Sequence, residues 1–221
     1  MRMTYAARTW WEDRALPRLV DVALSDVTSR PWREAVCGPV SGRVLEIGFG
    51  SGRNLEYYPE TVTEVIAVEP ADLAWERAAD RVATFGRPVR RIGLDGASLA
   101  LPDASVDVVV STWTMCTIPD LDSAVREMHR TLRPGGSVRY VEHVRSHHPR
   151  VRRVQERLQP FWRSVAGGCH LARDIAGMLE TAGFVVTPLY PEGPRRPSSP
   201  ARLELVPFEA GVAVPGGHLA E

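Results

Sequence analysis

The stretch Val44 to Asn54, VLEIGFGSGRN, places the strongest limit on what this chain can fold into. A short β-rich run ends in three closely spaced glycines, Gly48, Gly50 and Gly52, and passes into a helical candidate from Arg53 to Tyr58. A strand turning on glycines into a helix is the first half of a βαβ unit, and the backbone amides of such a turn suit a nucleotide. A dinucleotide-binding loop reads G-x-G-x-x-G. Counted from Gly48, the third glycine position holds Arg53, so this loop departs from that pattern.

Alternation continues down the chain. Strand candidates are Val44 to Ile47, Glu64 to Glu69, Val89 to Ile92, Val106 to Ser111 and Ser137 to Val144. Helical candidates lie at Ala71 to Ala83 and at Leu121 to Leu132, where Leu121, Ala124, Val125, Met128 and Leu132 share one face. Strands separated by helices imply right-handed crossovers and a mostly parallel sheet covered on both faces, with ligands beyond the carboxyl ends of its strands. Upstream, Leu16, Leu19, Val20, Ala23, Leu24 and Val27 form one stripe of an amphipathic helix, and the strip SRPWREAVCGPVSG leads from it into the first strand. Downstream come an insertion with aromatic and histidine residues, a helix near Leu171 to Ala182, and a proline-rich tail. Weak strands at Leu203 to Val206 and Gly211 to Val214 could close the sheet as an antiparallel hairpin.

At 221 residues and 44% hydrophobic, the chain is long enough for one sizeable core and short for two. A single domain over 1–221 is expected, with a helical lid at 1–41 and an insertion over the site at 145–170. Its 27 basic residues, all arginine, balance 27 acidic ones, so no net field draws it to nucleic acid or an anionic membrane. The lysine-free composition reads as genomic bias of a GC-rich bacterium. Charges run through the N-terminus, and no apolar run approaches the ~20 residues of a spanning helix, so no integral membrane association is expected. Cys37, Cys116 and Cys169 are odd in number and widely spaced, which argues against a disulfide framework and fits a reducing cytoplasm.

Glu46 ends the first strand beside the glycine loop. A pyrophosphate held there would face a like charge across a partly buried turn. S-adenosylmethionine (SAM) carries an ammonium and a sulfonium beside an adenosine, so a carboxylate near the loop attracts it. Glu69 ends the second strand nineteen residues beyond Gly50, the offset at which an acidic side chain accepts from both ribose hydroxyls. That role is common to NAD and SAM sites. Asp95, after the third strand, is placed to accept from the adenine amine, with the Gly96 amide donating to the ring.

The ordered set VLEIGFGSGRN, VEP, LPDASVDVVVS and LRPGGSVRYVEHV resembles the class I SAM-dependent methyltransferases, in the subgroup related to ubiquinone and menaquinone C-methyltransferases. Within that superfamily YYPETVTEVIAVEP, VEHV and QPFWRSVAGGCHLARD are similar to a narrower group containing methyltransferase-like alkyl thiol methyltransferases. Phe49 stands where that family usually has a small residue or cysteine. The resemblance implies an α/β, Rossmann-like, doubly wound sheet of seven mostly parallel strands with an antiparallel C-terminal strand. It implies SAM as cofactor and a small hydrophobic methyl acceptor, with a thiol among the candidates. Cofactor contacts are then expected from Glu46, Gly48, Gly50, Gly52, Asn54, Glu69, Pro70, Asp95, Gly96, Ser111 and Trp113.

Methyl transfer from a sulfonium is an in-line displacement, so alignment dominates and a base is needed only where the acceptor must lose a proton. His143 is the first choice of base, and Glu142 the alternative, since neighbouring strand residues face opposite sides and one of the two should reach the crevice. Cys116 is expected with Trp113 along the pocket. Phe161 and Trp162 would roof the acceptor, with AGGCH as the bend and Tyr5, Trp10 and Trp11 adding cover. The set His143, His147, His148, Cys169 and His170 follows no tight ligand spacing, so no metal is expected. Rival readings are methylation of a quinol carbon or of an oxygen or nitrogen acceptor, a SAM-binding module without turnover, and an NAD-dependent oxidoreductase. A monomer or homodimer is expected.

Overall fold

The computed structural model describes residues 24, 26–92, 98–190 and 207–216. Helix α1 (Asp26–Cys37) leads into strand β1 (Gly42–Ile47), followed by a 3-10 turn (Arg53–Tyr57), β2 (Val62–Val68), α2 (Asp72–Arg77), α3 (Ala79–Phe85) and β3 (Val89–Arg91). The second half runs β4 (Val106–Thr112), α4 (Leu121–Thr131), β5 (Leu132–His143), α5 (Pro149–Val165), α6 (Ile175–Thr181), β6 (Phe184–Pro188) and β7 (Phe208–Pro215).

The seven strands form one sheet in the order β3-β2-β1-β4-β5-β7-β6. β1 pairs in parallel with both β2 and β4, so the strand order reverses at β1 and opens a crevice beyond its carboxyl end. β7 is antiparallel to β5 and to β6, the one reversed strand among the described residues. The expected class and its antiparallel C-terminal strand are thus observed. β7 makes an antiparallel hairpin with β6; the strand expected at residues 203–206 lies outside the described residues.

Alternation along the strands builds two cores. Leu45, Ile47, Val109 and Tyr140 face α4 and α6, and Val44, Val65, Val108 and Val141 face α1 and the 3-10 turn. Glu46 takes the place of an apolar residue on the second of these faces.

Two local readings change. The strip read as a connection is α1: Ser29, Trp32, Arg33, Val36 and Cys37 recur at helical spacing and all are buried. Two members of that stripe are polar, so hydrophobicity alone hides it. Arg139 of β5 fastens the end of α1 by donating to the carbonyls of Val36 at 2.8 Å and Ala35 at 2.9 Å, where a cation complements the helix C-terminus. The single helix expected over Ala71 to Ala83 breaks at Ala78, which is fully buried against the glycine loop. A Cβ at Gly52 would sit 3.2 Å from that of Ala78.

Candidate active site

The glycine loop forms one wall of a cavity at the crevice. Gly48, Phe49, Gly50, Ser51 and Arg53 line it, with Glu69, Pro70 and Ala71 after β2 and Thr112, Trp113, Thr114 and Thr117 after β4. Leu24, Arg33, Ala74 and Arg77 complete it. Gly48 has φ +76°, and a Cβ there would meet the Thr114 side chain at 1.9 Å, so only glycine lets the loops after β1 and β4 touch. Gly50, at φ +60°, has open space where its Cβ would be. The bare backbone therefore faces the cavity. Phe49 closes its floor, packed on Trp75 at 5.3 Å.

Glu69 holds this loop to β2. One carboxylate oxygen accepts from the Gly50 amide at 2.7 Å and the other from the Ala71 amide at 2.8 Å. Burial raises its pKa, against the lowering by those two amides and by Arg91. Each oxygen keeps a second lone pair for a ligand hydroxyl.

Glu46 lies elsewhere than the charge argument requires. Its carboxylate is 1% exposed and does not line the cavity. It accepts from Tyr58 Oη at 2.7 Å and from Asn54 Nδ2 at 2.9 Å. Asn54 also donates to Thr112 Oγ1 at 3.1 Å and accepts from Arg33. Burial pushes the pKa of Glu46 up to about 7, opposed by the bonds from Tyr58 and Asn54 and by the charge of Arg33. Glu46 thus orients Asn54 near the charge of Arg33 and stands back from the cavity where a ligand cation would sit. Arg33, also bonded to Ser29 Oγ at 3.0 Å, stands 5.0 Å from the Trp113 ring centre. It is a cavity residue that the sequence reading missed.

At the end of β4, Trp113 adopts φ +54°, a left-handed conformation rare for a bulky residue. That turn puts its ring on the cavity wall and sends the next three amides inward. Glu142 receives them: Thr114 and Met115 N–H each at 2.9 Å, Cys116 N–H at 3.1 Å, and the Ser111 hydroxyl at 2.8 Å. Burial raises the Glu142 pKa, and these donors pull it back. With four donors and no exposure, Glu142 is a clamp on the loop and not a base, and Ser111 serves that clamp instead of a cofactor.

His143 points to the opposite sheet face. Its ring packs on Phe208 at 4.8 Å, and its Nδ1 lies 3.5 Å from Cys116 Sγ and 3.7 Å from Cys169 Sγ. Neither His143 nor Glu142 lines the cavity, contrary to expectation. The two sulfurs are 3.7 Å apart. Contact with Cys116, and secondarily with His143, moves the Cys169 thiol below its ordinary pKa range, while Cys116 moves up.

Of the expected cofactor residues, Gly48, Gly50, Glu69, Pro70 and Trp113 line the cavity, whereas Glu46, Gly52, Asn54 and Ser111 lie behind it. Asp95 and Gly96, like Tyr5, Trp10 and Trp11, fall outside the described residues. The insertion is helix α5 with a bend at Gly167 and Gly168, both at positive φ. Gln155 and Gln159 fasten it: Gln155 donates to the Val144 and Leu171 carbonyls, and Gln159 to that of Cys169. Phe161 is 66% exposed and, with Trp162, stands off the cavity, so the roof expected of them is not formed there. Of the histidines weighed as ligands, His147 and His148 are exposed and apart from His143.

Residues 45–140 match a family model described as Methyltransferase domain. This strand order and a glycine-lined crevice at the reversal point, together with the family match, make the chain similar to the class I SAM-dependent methyltransferases. Among similar proteins is thiol S-methyltransferase TMT1A of Homo sapiens, 35% identical over 155 residues, which are 66% of this chain and 62% of that one. Thiol S-methyltransferase TMT1B of Rattus norvegicus is 32% identical over 147 residues, 64% of this chain and 59% of that one. The chain thus spans about three-fifths of the length of these relatives. The fold is shared with a Haemonchus contortus N-methyltransferase solved with phosphomonomethylethanolamine and S-adenosylhomocysteine, at 16% identity and a TM-score of 0.69 over 98% of this chain and 61% of that one. Among the described residues no helix is long and apolar enough to cross a membrane.

Proposed function

We propose that this protein transfers the methyl group of SAM to the sulfur of a small hydrophobic thiol. The observation that carries the acceptor is the similarity to TMT1A and TMT1B, whose names specify thiol S-methylation. The cavity supports the donor. Arg33, Arg53 and Arg77 bring positive charge to the cavity lining, which suits the α-carboxylate of SAM, while Glu69 offers acceptors to the ribose hydroxyls. Phe49 and Trp113 give the rest of the cavity an aromatic lining suited to the adenine and a hydrophobic acceptor.

The acceptor sulfur attacks the methyl carbon in line, a new carbon–sulfur bond forms as the sulfonium bond breaks, and the thiol proton leaves to solvent. Holding the two centres in line is the main contribution, worth up to about 7–11 kcal/mol in favourable systems. A thiol with a pKa near ~8.5 is partly ionised at neutral pH, so the chemistry needs no dedicated base. That agrees with a cavity in which neither His143 nor Glu142 is presented.

The test is incubation of the purified full chain with SAM and a panel of alkyl thiols, phenols, quinols and amines. S-adenosylhomocysteine together with a thioether product is expected. Turnover only with a carbon, oxygen or nitrogen acceptor would reassign the substrate. Binding of SAM with no turnover on any acceptor would make the chain a binding module.

A further inference from the structure

The cluster behind the cavity has a geometry that methyl transfer does not use. Cys116 comes from the loop after β4, His143 from the end of β5 and Cys169 from the bend after α5, and their ligating atoms lie 3.5, 3.7 and 3.7 Å apart. Tetrahedral zinc, with bonds of about 2.3 Å to sulfur and about 2.05 Å to nitrogen, holds two sulfurs about 3.8 Å apart and a sulfur and a nitrogen about 3.6 Å apart. The triangle matches one face of that tetrahedron to within about 0.2 Å.

The scaffold around it is fixed from both sides. The Cys116 amide donates to Glu142 at 3.1 Å and its carbonyl accepts from the His170 amide at 2.8 Å. The Cys169 amide donates to the Ala166 carbonyl at 3.0 Å, and its own carbonyl accepts from Gln159 Nε2 at 3.2 Å. Phe208 holds the imidazole ring, and the two sulfurs are the only hydrogen-bond partners of its Nδ1 among the described residues. Preorganised ligands with supported backbones are what a metal site requires. Two thiolates and a neutral imidazole would also cancel the charge of a divalent cation, which suits a place where both sulfurs are buried.

We propose that Cys116, His143 and Cys169 form a site for one thiophilic divalent cation, zinc foremost, that pins the insertion to the carboxyl ends of β4 and β5. Binding replaces two thiol protons, released to solvent, by two sulfur–metal bonds, with the imidazole as third ligand and water as the fourth. Thiolate and imidazole donors select zinc over magnesium or calcium. The expectation of no metal thus gives way to a triad that no short spacing announces, with His143 separated by 27 and 26 residues from the two cysteines.

The experiment is a cobalt(II) titration of the reduced, chelator-treated full chain. The thiolate-to-cobalt charge-transfer band and the visible bands of a tetrahedral site should saturate at one equivalent and vanish when zinc is added. C116S, C169S and H143N should each weaken binding by more than the about 10–100-fold that loss of an outer hydrogen-bond partner costs, whereas C37S should leave the bands intact. Alkylation of the wild-type protein is a second readout that needs no variant to fold: zinc should protect Cys116 and Cys169 and leave Cys37 unchanged. Absence of the charge-transfer band, its survival in C116S or C169S, or a Cys116–Cys169 disulfide formed in place of metal uptake would overturn the proposal. None of these readouts involves SAM or an acceptor, so their failure leaves the methyltransferase reading untouched.

Discussion

Glu46 and Glu142 stand at the carboxyl ends of two strands of one sheet, each with 1% exposure or less, and both read from the sequence as functional carboxylates. Their partners separate them. Glu142 is held by three consecutive backbone amides and a hydroxyl, whereas Glu46 is held by two side chains, Tyr58 and Asn54. Backbone amides cannot turn away, so a carboxylate that gathers three of them fixes the path of a loop. Side-chain partners can re-sort, so their carboxylate tunes charge and orientation. The left-handed Trp113 belongs with the first case: its strain, on the order of 1–3 kcal/mol, is compensated by the amides it delivers to Glu142.

The sharpest way to break this contrast is Glu142→Ala. Three amides and the Ser111 hydroxyl would lose their acceptor in the core, and the expected loss is about 3–5 kcal/mol of folding stability, measured by urea unfolding. A loss below about 1 kcal/mol would mean that the loop holds its own shape and that Glu142 is no clamp.

Glu46→Gln tests the other carboxylate through pH. In the native state the Glu46 pKa is raised to about 7 from an ordinary 4.5. The native protein therefore binds more protons than the unfolded chain between those values, and the stability tied to the protonated group is present below pH 4.5 and lost as pH rises through about 7. Glutamine stays neutral. Relative to wild type, the variant should gain as much as about 3 kcal/mol at pH 8 and little at pH 4.5. A difference that does not vary with pH would show that Glu46 is ionised throughout and that Arg33 compensates it fully.

The two carboxylates also mark where sequence reasoning reached and where it stopped. The strands, the crossover order and the glycine loop were legible because periodicity and glycine spacing are local, and the offset of Glu69 from Gly50 puts it beside the cavity, where the structure has it. The direction of a strand-end side chain is not local. Whether Glu46 faces the cavity depends on Tyr58 and Asn54, and whether Glu142 is free depends on a loop 26–28 residues upstream of it. Arg33 was missed because a polar residue within a buried helical stripe carries no apolar signal. The sulfur–imidazole triangle was missed because Cys116 and Cys169 meet only through the folding of the insertion.

Glu69 lies between the two cases, with two backbone amides in hand and its oxygens on the cavity. Glu69→Ala should weaken SAM binding by about 1–3 kcal/mol, read by calorimetry. Unchanged affinity would remove the ribose role and leave Glu69 as a loop clamp like Glu142.

The smallest effect is expected at Gly50, and it separates conformational from steric demands on the loop. At Gly50→Ala the added Cβ meets nothing within 4 Å, so the folded chain suffers only the left-handed backbone cost of about 1–2 kcal/mol. The same Cβ would project into the space that the cofactor is proposed to fill, so SAM affinity should fall further than stability does. At Gly48→Ala the clash with Thr114 adds to the backbone cost, and stability itself should fail first. Measuring unfolding and SAM binding on both variants tests this directly. Equal losses in the two measurements at Gly50 would mean that the ligand does not approach that backbone, and the cavity would then have to be read from its Trp113 side.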